Sequence, residues 1–401
     1  MDPRIMTLAL ASFAVGTGSY AFTGLLSDVA ADLDVSVGTA GQLASSFALT
    51  FAVTAPFLAS LTSGLDRKRI LVAALIVLGL LNIAAAFSPD FSSLLWIRIA
   101  CGLASTLISP VAGAAAASLV PPEQRGKALA VVLAGLTLAL AFGIPMGTAI
   151  GGIFDWRATF TYGGLVCLVS AGVLLAVLPP VPSTDRPGFG ALKVAFQPAV
   201  FTNLLFTGLG FTATFSTVAY IGPVITSVTG LSGSSISGIQ LFVGIGAIFG
   251  VILGGILTNR GASCRQIMAL FAVQAVILSL FTLDMEVAPL GPPLGQPGSI
   301  ALMAMTVMVS AMVLFALGPV IQIRLISSAP EAAAVVLALN GSMIFFGQGL
   351  GAGIGGVVID AAGLTTIGLA GAAFALLGAA TAAVAAFRNG EIGGVSQETP
   401  P

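Results

Sequence analysis

The sequence contains very little charge for its length. Aspartate, glutamate, lysine and arginine together make up 7% of the 401 residues, against about 25% in an ordinary soluble domain. Apolar residues reach 57%, and a water-soluble fold has no place to bury so large a fraction. The composition therefore predicts a polytopic membrane protein, whose apolar surface faces the lipid bilayer.

Histidine is absent, and the three cysteines are scattered. Cys101 and Cys167 lie in apolar stretches, whereas Cys264 lies in a polar loop. We therefore predict no disulfide framework, no metal, no cofactor and no catalytic residue. A formal net charge of −1 without a basic run also argues against a nucleic-acid partner. A membrane-embedded enzyme or receptor is a remote alternative, because clustered acids and an extramembrane domain are missing as well.

Long apolar stretches dominate the chain. A helix needs about 20 mostly apolar residues to cross a bilayer. The sequence predicts twelve such spans, at residues 5–26, 40–62, 70–88, 92–118, 127–154, 159–179, 199–223, 236–258, 264–284, 299–323, 333–359 and 363–387.

Lysine and arginine are distributed unequally between the two sides of these spans. Twelve fall on the side that carries both termini, whereas the other side has only Arg157, and Arg98 lies within a span. Cytoplasmic loops carry such an excess, so we predict a multi-pass protein of the cell membrane, in bacteria the inner membrane, with both termini in the cytoplasm. The twelve are Arg4, Arg67, Lys68, Arg69, Arg125, Lys127, Arg186, Lys193, Arg260, Arg265, Arg324 and Arg388.

A glycine-rich motif occurs twice. Residues 142–152, FGIPMGTAIGG, return as residues 346–356, FGQGLGAGIGG, at a constant offset of 204 residues. Identities at one offset predict a duplicated body, and glycines four apart share one helical face that another helix can approach closely. The identical pairs are Phe142 and Phe346, Gly143 and Gly347, Gly147 and Gly351, Gly151 and Gly355, and Gly152 and Gly356.

A central connection divides the spans into six and six, because residues 179–198 combine prolines with Asp185, Arg186 and Lys193. We predict an N-terminal bundle over residues 1–180, a cytoplasmic linker over 181–198, a C-terminal bundle over 199–388 and a disordered tail over 389–401. Residues 284–299, which are rich in Gly and Pro, are expected to form an irregular external loop.

Several further motifs accompany the glycine motif. Residues 122–128, PEQRGKA, begin the fifth span, and Asp66-Arg67 follows the second. The remaining motif residues are Gly143, Pro145, Gly147, Gly151 and Gly152, followed by Trp156, Arg157 and Phe160, together with Arg98 and Gly102 in the fourth span.

These motifs resemble those of the major facilitator superfamily, and specifically its twelve-helix drug/proton antiporter branch, which includes sugar, purine-nucleoside and chloramphenicol exporters. The resemblance implies an all-α membrane protein of two pseudo-symmetric six-helix bundles with a midplane site between them. It also implies a secondary active transporter that exports a small organic molecule, such as a drug, nucleoside or sugar derivative, by alternating access. We expect a monomer whose partners are its substrate, the bilayer and, as a candidate coupling ion, the proton.

The first span departs from the branch. Relatives often carry an acidic residue there in a GTSEF-like context, whereas this chain has GTGSY at residues 16–20. Ser19 cannot carry a proton, so antiport would depend on Asp28 or another rim acid; alternatively, Asp28 caps a turn and stays ionised. Two forms of transport therefore stay open: proton antiport with Asp28 as the candidate proton site, or a proton-independent uniporter or substrate exchanger.

Arg98 is the charged residue that lies furthest inside a predicted span. A charge within a bilayer is costly and normally faces a cavity or a partner. We expect Arg98 either to face inward, against substrate, a carbonyl or an acidic group, or to extend to the interface in a structural role.

Neutral polar residues form the rest of the candidate site. On the seventh span they recur at helical spacing, and the equivalent first span has a shorter counterpart; in the superfamily both helices line the central cavity. Alternatively, the hydroxyls bond to their own helix and the amides join neighbouring helices. The predicted substrate-binding residues are Thr17, Tyr20, Arg98, Asn203, Thr207, Thr214, Thr217, Tyr220, Gln240 and Asn340.

The glycine motif is expected to serve the conformational change. Close approach of the fifth helix to a helix of the other half would let the halves rock, and Pro145 can bend that helix. Asp66 and Arg67 would latch the halves when the site faces outward, or they are simply solvated loop charges. The predicted gating residues are Asp66, Arg67, Gly143, Pro145, Gly147, Gly151, Gly152, Gly347, Gly351 and Gly355.

Overall fold

The structure, a computed structural model, describes residues 2–62, 64–182, 189–287 and 295–391. Within these residues twelve helices are long and apolar enough to cross a membrane, which confirms the twelve predicted spans. They are α1 (Pro3–Asp32), α2 (Val37–Leu58), α3 (Arg67–Ala86), α4 (Phe91–Ser118), α5 (Arg125–Ile153), α6 (Trp156–Val177), α7 (Pro198–Val218), α8 (Gly233–Asn259), α9 (Cys264–Glu286), α10 (Gln296–Ser328), α11 (Val335–Ala362) and α12 (Leu364–Arg388).

The spans reverse direction at each connection, so the beginning of α1 and the end of α12 lie on the same side of the bundle. We name this the terminal side and the opposite one the far side. Several of the few acidic residues begin helices at these surfaces. Asp66 accepts a hydrogen bond from the Arg69 amide at 2.9 Å, and Asp90 accepts one from the Ser93 amide at 2.8 Å. Both are N-caps, which satisfy amide groups that a helix start leaves unpaired.

Small residues let the helices of each half pack closely. A Cβ atom added to Gly254 of α8 would lie 2.6 Å from the carbonyl oxygen of Ala316 on α10. Gly250, one turn away on α8, meets the carbonyl of Met312 in the same way. A lipid environment provides little hydrophobic force between helices, so such van der Waals contacts hold the bundle together.

The six-helix halves, α1–α6 and α7–α12, meet along two helix pairs. Helix α2 packs on α11, where Ser45 Oγ donates to the Gly349 carbonyl at 2.7 Å. Helix α5 packs on α8, where Gly244 lies so close to Ala141 that a Cβ atom would overlap it. The architecture confirms the predicted all-α membrane fold of two six-helix bundles.

The predicted connections differ in part from those observed. The helix that contains α9 continues to Val287, and the one that contains α10 begins at Gly295, so the predicted irregular loop at 284–299 is helical at both described ends. The predicted linker contains a 3₁₀-helical segment, Phe189–Phe196. Residues 183–188, 288–294 and 392–401, which include most of the predicted tail, lie outside the described residues.

Candidate functional site

Helices α1 and α7 change geometry at matching places in the two halves. In α1, the α-helix Pro3–Tyr20 gives way to a 3₁₀ segment, Ala21–Leu25. Helix α7 ends at Val218, and after Tyr220 a short helix, Ile221–Thr229, continues toward the far side. Interrupted helices are tolerated at membrane depth where the backbone is buried in protein or lines a cavity.

A cavity lies between the halves at the level of these interruptions. Its empty volume is about 1120 Å³, a figure that includes open solvent. Apolar side chains from both halves, such as Leu140, Val307 and Phe315, form most of its wall, and none of its described lining residues is charged. Its polar lining residues are Ser19, Tyr20, Thr23, Thr214, Gln240 and Gln348.

Two of the polar lining residues join the halves. Tyr20 Oη on α1 donates to Gln348 Oε1 on α11 at 2.7 Å. Only 8% of Tyr20 and 9% of Gln348 are exposed to solvent. This hydrogen bond therefore forms part of the cavity wall and also connects the two bundles.

The hydroxyl groups of the lining bind mostly to their own helices. Ser19 Oγ donates to the Val15 carbonyl at 2.5 Å, and Thr214 Oγ1 donates to the Gly210 carbonyl at 3.0 Å. Such bonds leave little donor capacity for a solute. Gln240 differs, because neither its amide nitrogen nor its amide oxygen has a partner among the described residues.

Arg98 of α4 is fully buried beneath the cavity wall, where it faces α1 and α2. Its guanidinium donates to the carbonyls of Gly18 and Leu43, each at 3.2 Å, and to that of Ser19 at 2.5 Å. Three aromatic rings surround it within 6 Å of their centroids, those of Phe22, Phe47 and Phe160. The carbonyls of Gly18 and Ser19 end the α-helical part of α1, so Arg98 stabilises the backbone at this interruption.

A family model described as Major Facilitator Superfamily matches residues 8–334, more than half of the chain. This chain belongs to the Major Facilitator Superfamily. Because the superfamily consists of transporters, the assignment agrees with the prediction that the protein is not an enzyme.

Curated relatives within the superfamily cover nearly the whole chain. The uncharacterized transporter YtbD of Bacillus subtilis is 31% identical over 374 residues, which is 90% of each chain. The inner membrane transport protein YdhP of Escherichia coli K12 is 30% identical over 358 residues, or 89% of each chain. Among solved structures, a bacterial homolog of the human lysosomal transporter Spinster, inward-facing and unoccupied, matches with a TM-score of 0.73. It shares 17% identity over 96% of both chains, so this likeness concerns the superfamily fold alone.

Three of the ten predicted substrate-binding residues line the cavity: Tyr20, Thr214 and Gln240. Two others bind to each other inside the second half, where Thr207 Oγ1 donates to Asn340 Oδ1 at 2.6 Å. The polar face of α7 therefore extends beyond the cavity into its own bundle.

The remaining predicted residues are also outside the described cavity lining. Asn203 Oδ1 accepts a hydrogen bond from Arg324 Nε at 3.0 Å, near the terminal side of the second half. Thr17 and Thr217 are buried within their own halves, and Tyr220 lies toward the far side. Arg98, Asn203 and Tyr220 form hydrogen bonds with the protein itself, whereas the buried hydroxyls of Thr17 and Thr217 have no partner among the described residues.

Gln348 is one of three polar lining residues, with Ser19 and Thr23, that are not among the predicted substrate-binding residues. It stands inside the second copy of the glycine motif, where the first copy has Ile144 at the same offset of 204 residues. Both residues line the cavity. The difference between the two copies at this position was therefore a signal in the sequence for the cavity lining, because Ile144 and Gln348 both face the space between the halves.

The glycines of the motif face different neighbours from those expected. Gly143 and Gly147 of α5 pack against Thr17 and Ala21 of α1, which belongs to the same half. The third glycine of this face, Gly151, packs against α1 and α6 of that half. In the second copy, the corresponding glycines pack on α7 of their own half; they are Gly347, Gly351 and Gly355. These faces hold α5 and α11 inside their bundles instead of forming the contact between the halves.

The last glycine of each copy does face the other half. A Cβ atom at Gly152 would overlap the backbone of Ser234 at the start of α8, and one at Gly356 would lie 2.6 Å from the Gly38 carbonyl at the start of α2. Equivalent positions of the repeat therefore make equivalent contacts between the halves, both on the far side.

Pro145 accounts for a local change in α5. A proline lacks the amide hydrogen that would bond to the carbonyl four residues earlier, here Ala141. The helix has a π-helical segment at this place, Ala139–Gly143, and Ala141 is the residue that packs against Gly244 of α8. The proline thus shapes one of the two helix pairs on which the halves meet.

The predicted charged residues lie at the two surfaces. Arg67 Nη1 donates to the Ala114 carbonyl of α4 at 3.0 Å, within the first half. Asp66, the N-cap of α3, is also in that half. Asp28 is exposed near the far end of α1 and is not a described residue of the cavity lining.

Backbone and side-chain contacts close the cavity toward the far side. Tyr220 Oη lies 3.4 Å from the Gly38 carbonyl of the other half and donates to the Ala352 carbonyl of its own half at 2.7 Å. A Cβ atom at Gly222 would overlap the Gly24 carbonyl of α1. Any solute in the cavity is therefore separated from the far side by packed protein.

Proposed function

We propose that the protein is a secondary transporter that exports a small, uncharged and largely apolar organic molecule by alternating access. The observation that carries the proposal is the cavity between the halves, since its described lining is predominantly apolar and contains no charged side chain. Uncharged drugs belong to this class, and uncharged nucleoside or sugar derivatives would be its weakly polar members. Export itself is supported by the resemblance of the glycine motif to that of the antiporter branch.

An uncharged solute suits the cavity for an energetic reason. A charged solute would leave water without meeting an opposite charge, and a charge inside a bilayer costs about 2.5–3.5 kcal/mol even on insertion scales. That cost corresponds to roughly a hundredfold in affinity. A neutral solute avoids it and gains from contact with apolar side chains such as Leu140 and Phe315.

We assign the terminal side to the cytoplasm, because the excess of Lys and Arg lies there. With this orientation, the far-side contacts at Gly38 and Gly152 would close the cavity on the outside, as in an inward-facing state. The bacterial inner membrane is supported by the name of the relative YdhP. One chain is proposed to be the functional unit, with the bundles at 1–180 and 199–388, because both halves of a single chain build the cavity.

In this proposal each bundle moves as a body. Glycines such as Gly143 and Gly347 hold α5 on α1 and α11 on α7, whereas Gly152 and Gly356 form contacts that separate when the far side opens. Asp66 and Arg67 are proposed to latch the terminal side once the cavity faces outward.

The form of energy coupling has two candidates. Proton antiport is the mechanism that the resemblance implies, with Asp28 as its proton site. A proton-independent uniporter or exchanger is favoured by a specific observation, since the described cavity lining has Ser19 and no carboxylate.

A thermal-shift screen of purified protein tests the proposal. Neutral solutes are expected to raise the melting temperature more than cationic or anionic analogues of equal size. The response should be lost in Val218→Trp, which narrows the cavity, and kept in Val384→Trp, whose position on α12 is 60% exposed. Flux of the best solute is then followed in proteoliposomes. A complete absence of flux under every imposed gradient would contradict the proposal, and loss of accumulation on adding a protonophore would decide for antiport.

A further inference from the structure

Gln240 is a buried amide whose hydrogen-bonding groups are unused. It lies on α8, is 2% exposed and lines the cavity. Among the described residues it is the one buried amide whose nitrogen and oxygen both lack a partner. A buried polar group without a partner costs free energy, so something outside the described protein groups is expected to satisfy this amide.

The position of the amide is restricted by its surroundings. A Cβ atom added to Gly24 of α1 would lie 2.8 Å from Gln240 Nε2 and would overlap Thr148 Oγ1. Thr148 Oγ1 is itself engaged, because it donates to the Ala21 carbonyl at 3.1 Å. The Gln240 side chain thus spans from the second half to the first and is held against α1 by packing, not by hydrogen bonds.

A carboxamide offers an N–H donor and a C=O acceptor side by side. Its complement is another group with a donor and an acceptor on one edge, as when glutamine binds a base edge through two parallel hydrogen bonds. Lactams, cyclic imides and cyclic ureas have such a cis-amide edge. An open-chain secondary amide in its trans form presents its N–H and C=O in opposite directions and cannot pair in this way.

We propose that Gln240 recognises a cis-amide edge, and that the transported solutes include uncharged ring compounds that contain a lactam, imide or cyclic urea. This inference rests on the proposed function and specifies its substrate class. The amide of Gln240 pairs with the polar edge of the ring, while the rest of the ring contacts apolar neighbours in the cavity such as Val243, Leu314 and Phe315.

Binding of two lactams that differ in one group provides the test. 2-Quinolinone has a cis-amide edge, and N-methyl-2-quinolinone has the same ring without the N–H donor. Calorimetric titration of the purified full-length protein is expected to show about tenfold tighter binding of 2-quinolinone, because its N-methyl analogue leaves the Gln240 acceptor unpaired. Gln240→Met keeps the length of the side chain and removes both hydrogen-bonding groups, so this variant should bind the two lactams with about equal affinity.

Asn82→Leu is the matched control. Asn82 is a fully buried amide on α3 with an unpartnered oxygen, and it is not among the described lining residues. This variant should keep the preference for 2-quinolinone. Circular dichroism and size-exclusion chromatography establish that each variant is folded before the titration.

Three results would overturn the inference. They are equal affinity for the two lactams, no measurable binding of 2-quinolinone, and a preference that survives in Gln240→Met. The second would leave the proposed function intact if another neutral solute still gives a thermal shift that Val218→Trp removes.

Discussion

The hydrogen bond between Tyr20 and Gln348 is expected to influence which side of the transporter is open. It is a described side-chain hydrogen bond that joins the halves at the cavity, with 2.7 Å between the tyrosine oxygen and Oε1. Tyr20→Phe removes the hydroxyl and keeps the ring, which packs against Phe47 and Phe215 with centroids 6.1 and 5.6 Å away. The substitution therefore affects the hydrogen bond with little change in packing.

The size of the effect follows from the burial of the two partners. A hydrogen bond contributes about 0.5–1.5 kcal/mol net, and a fully buried acceptor left unpaired costs about 1–3 kcal/mol. Gln348 borders the cavity, so water can replace part of the lost interaction and the lower range applies. We expect the far-closed state to lose about 1 kcal/mol, which increases the ratio of far-open to far-closed molecules about fivefold.

Electron paramagnetic resonance distance measurements can detect this shift. Spin labels are attached to cysteines introduced at Ala31 and Ala362, which are exposed near the far ends of α1 and α11. The three native cysteines are buried. Tyr20→Phe should enlarge the long-distance population, Gln348→Leu should enlarge it by a similar amount, and the double variant should add nothing further. An unchanged distribution in Tyr20→Phe, or additive effects in the double variant, would refute the reasoning.

Three further predictions concern Arg98, the glycine faces and Asp28. Arg98→Met should lower the melting temperature, because three carbonyls lose a charged donor. Arg98→Lys should recover only part of the lost melting temperature, since an ammonium cannot reproduce the guanidinium fork. An unchanged melting temperature in Arg98→Met would contradict this role of Arg98. Gly356→Ala should enlarge the far-open population in the spin-label assay. Gly351 faces α7 of its own half, so Gly351→Ala should lower the melting temperature without changing that population. The reverse pattern would refute the assignment of the two glycine faces. Asp28→Asn should leave the pH dependence of proteoliposome flux unchanged, because Asp28 is exposed outside the described cavity lining, and a flattened pH profile would instead support Asp28 as the proton site.

The fold could be predicted from the sequence because the bilayer makes simple demands. Every backbone group inside it must bond within the chain, so each long apolar segment becomes a helix. The duplicated motif around Gly143 and Gly347 indicated two related halves. The loop predicted at 284–299 began too early in the chain, because the helix that contains α9 continues past the last strongly apolar residues to Val287.

The cavity lining was harder to predict, because residue type does not determine where a side chain points. Thr207 and Thr214 stand on the same polar stretch of α7, yet one bonds to Asn340 inside the bundle and the other borders the cavity. Arg98 was expected to have a partner, and the structure supplies backbone carbonyls. Two of them, the carbonyls of Gly18 and Ser19, lie where α1 changes geometry after Tyr20, which no residue pattern indicated.

The glycine motif illustrates the same limit. The spacing of Gly143, Gly147 and Gly151 identifies a face of close approach but does not identify the neighbouring helix. In the structure, two equivalent faces, one per copy, secure helices inside their bundles, and of the glycines that both copies share only Gly152 and Gly356 reach across. Two glycines found in the second copy alone, Gly349 and Gly353, also contact α2 of the other half. The choice of neighbour depends on the arrangement of twelve helices, which is a property of the whole fold.

A reversible disulfide between the halves tests alternating access most directly. A Cβ atom built on Gly353 of α11 lies 3.9 Å from Ser45 Cβ of α2, within the range of about 3.5–4.5 Å that a disulfide requires. The variant Ser45→Cys/Gly353→Cys is reconstituted in proteoliposomes, and flux of a solute from the thermal-shift screen is measured before oxidation, after oxidation and after reduction, with each single variant as a control. The account predicts that flux falls to the leak of protein-free vesicles when the cross-link forms and returns when it is reduced. Continued flux through fully cross-linked protein would contradict it.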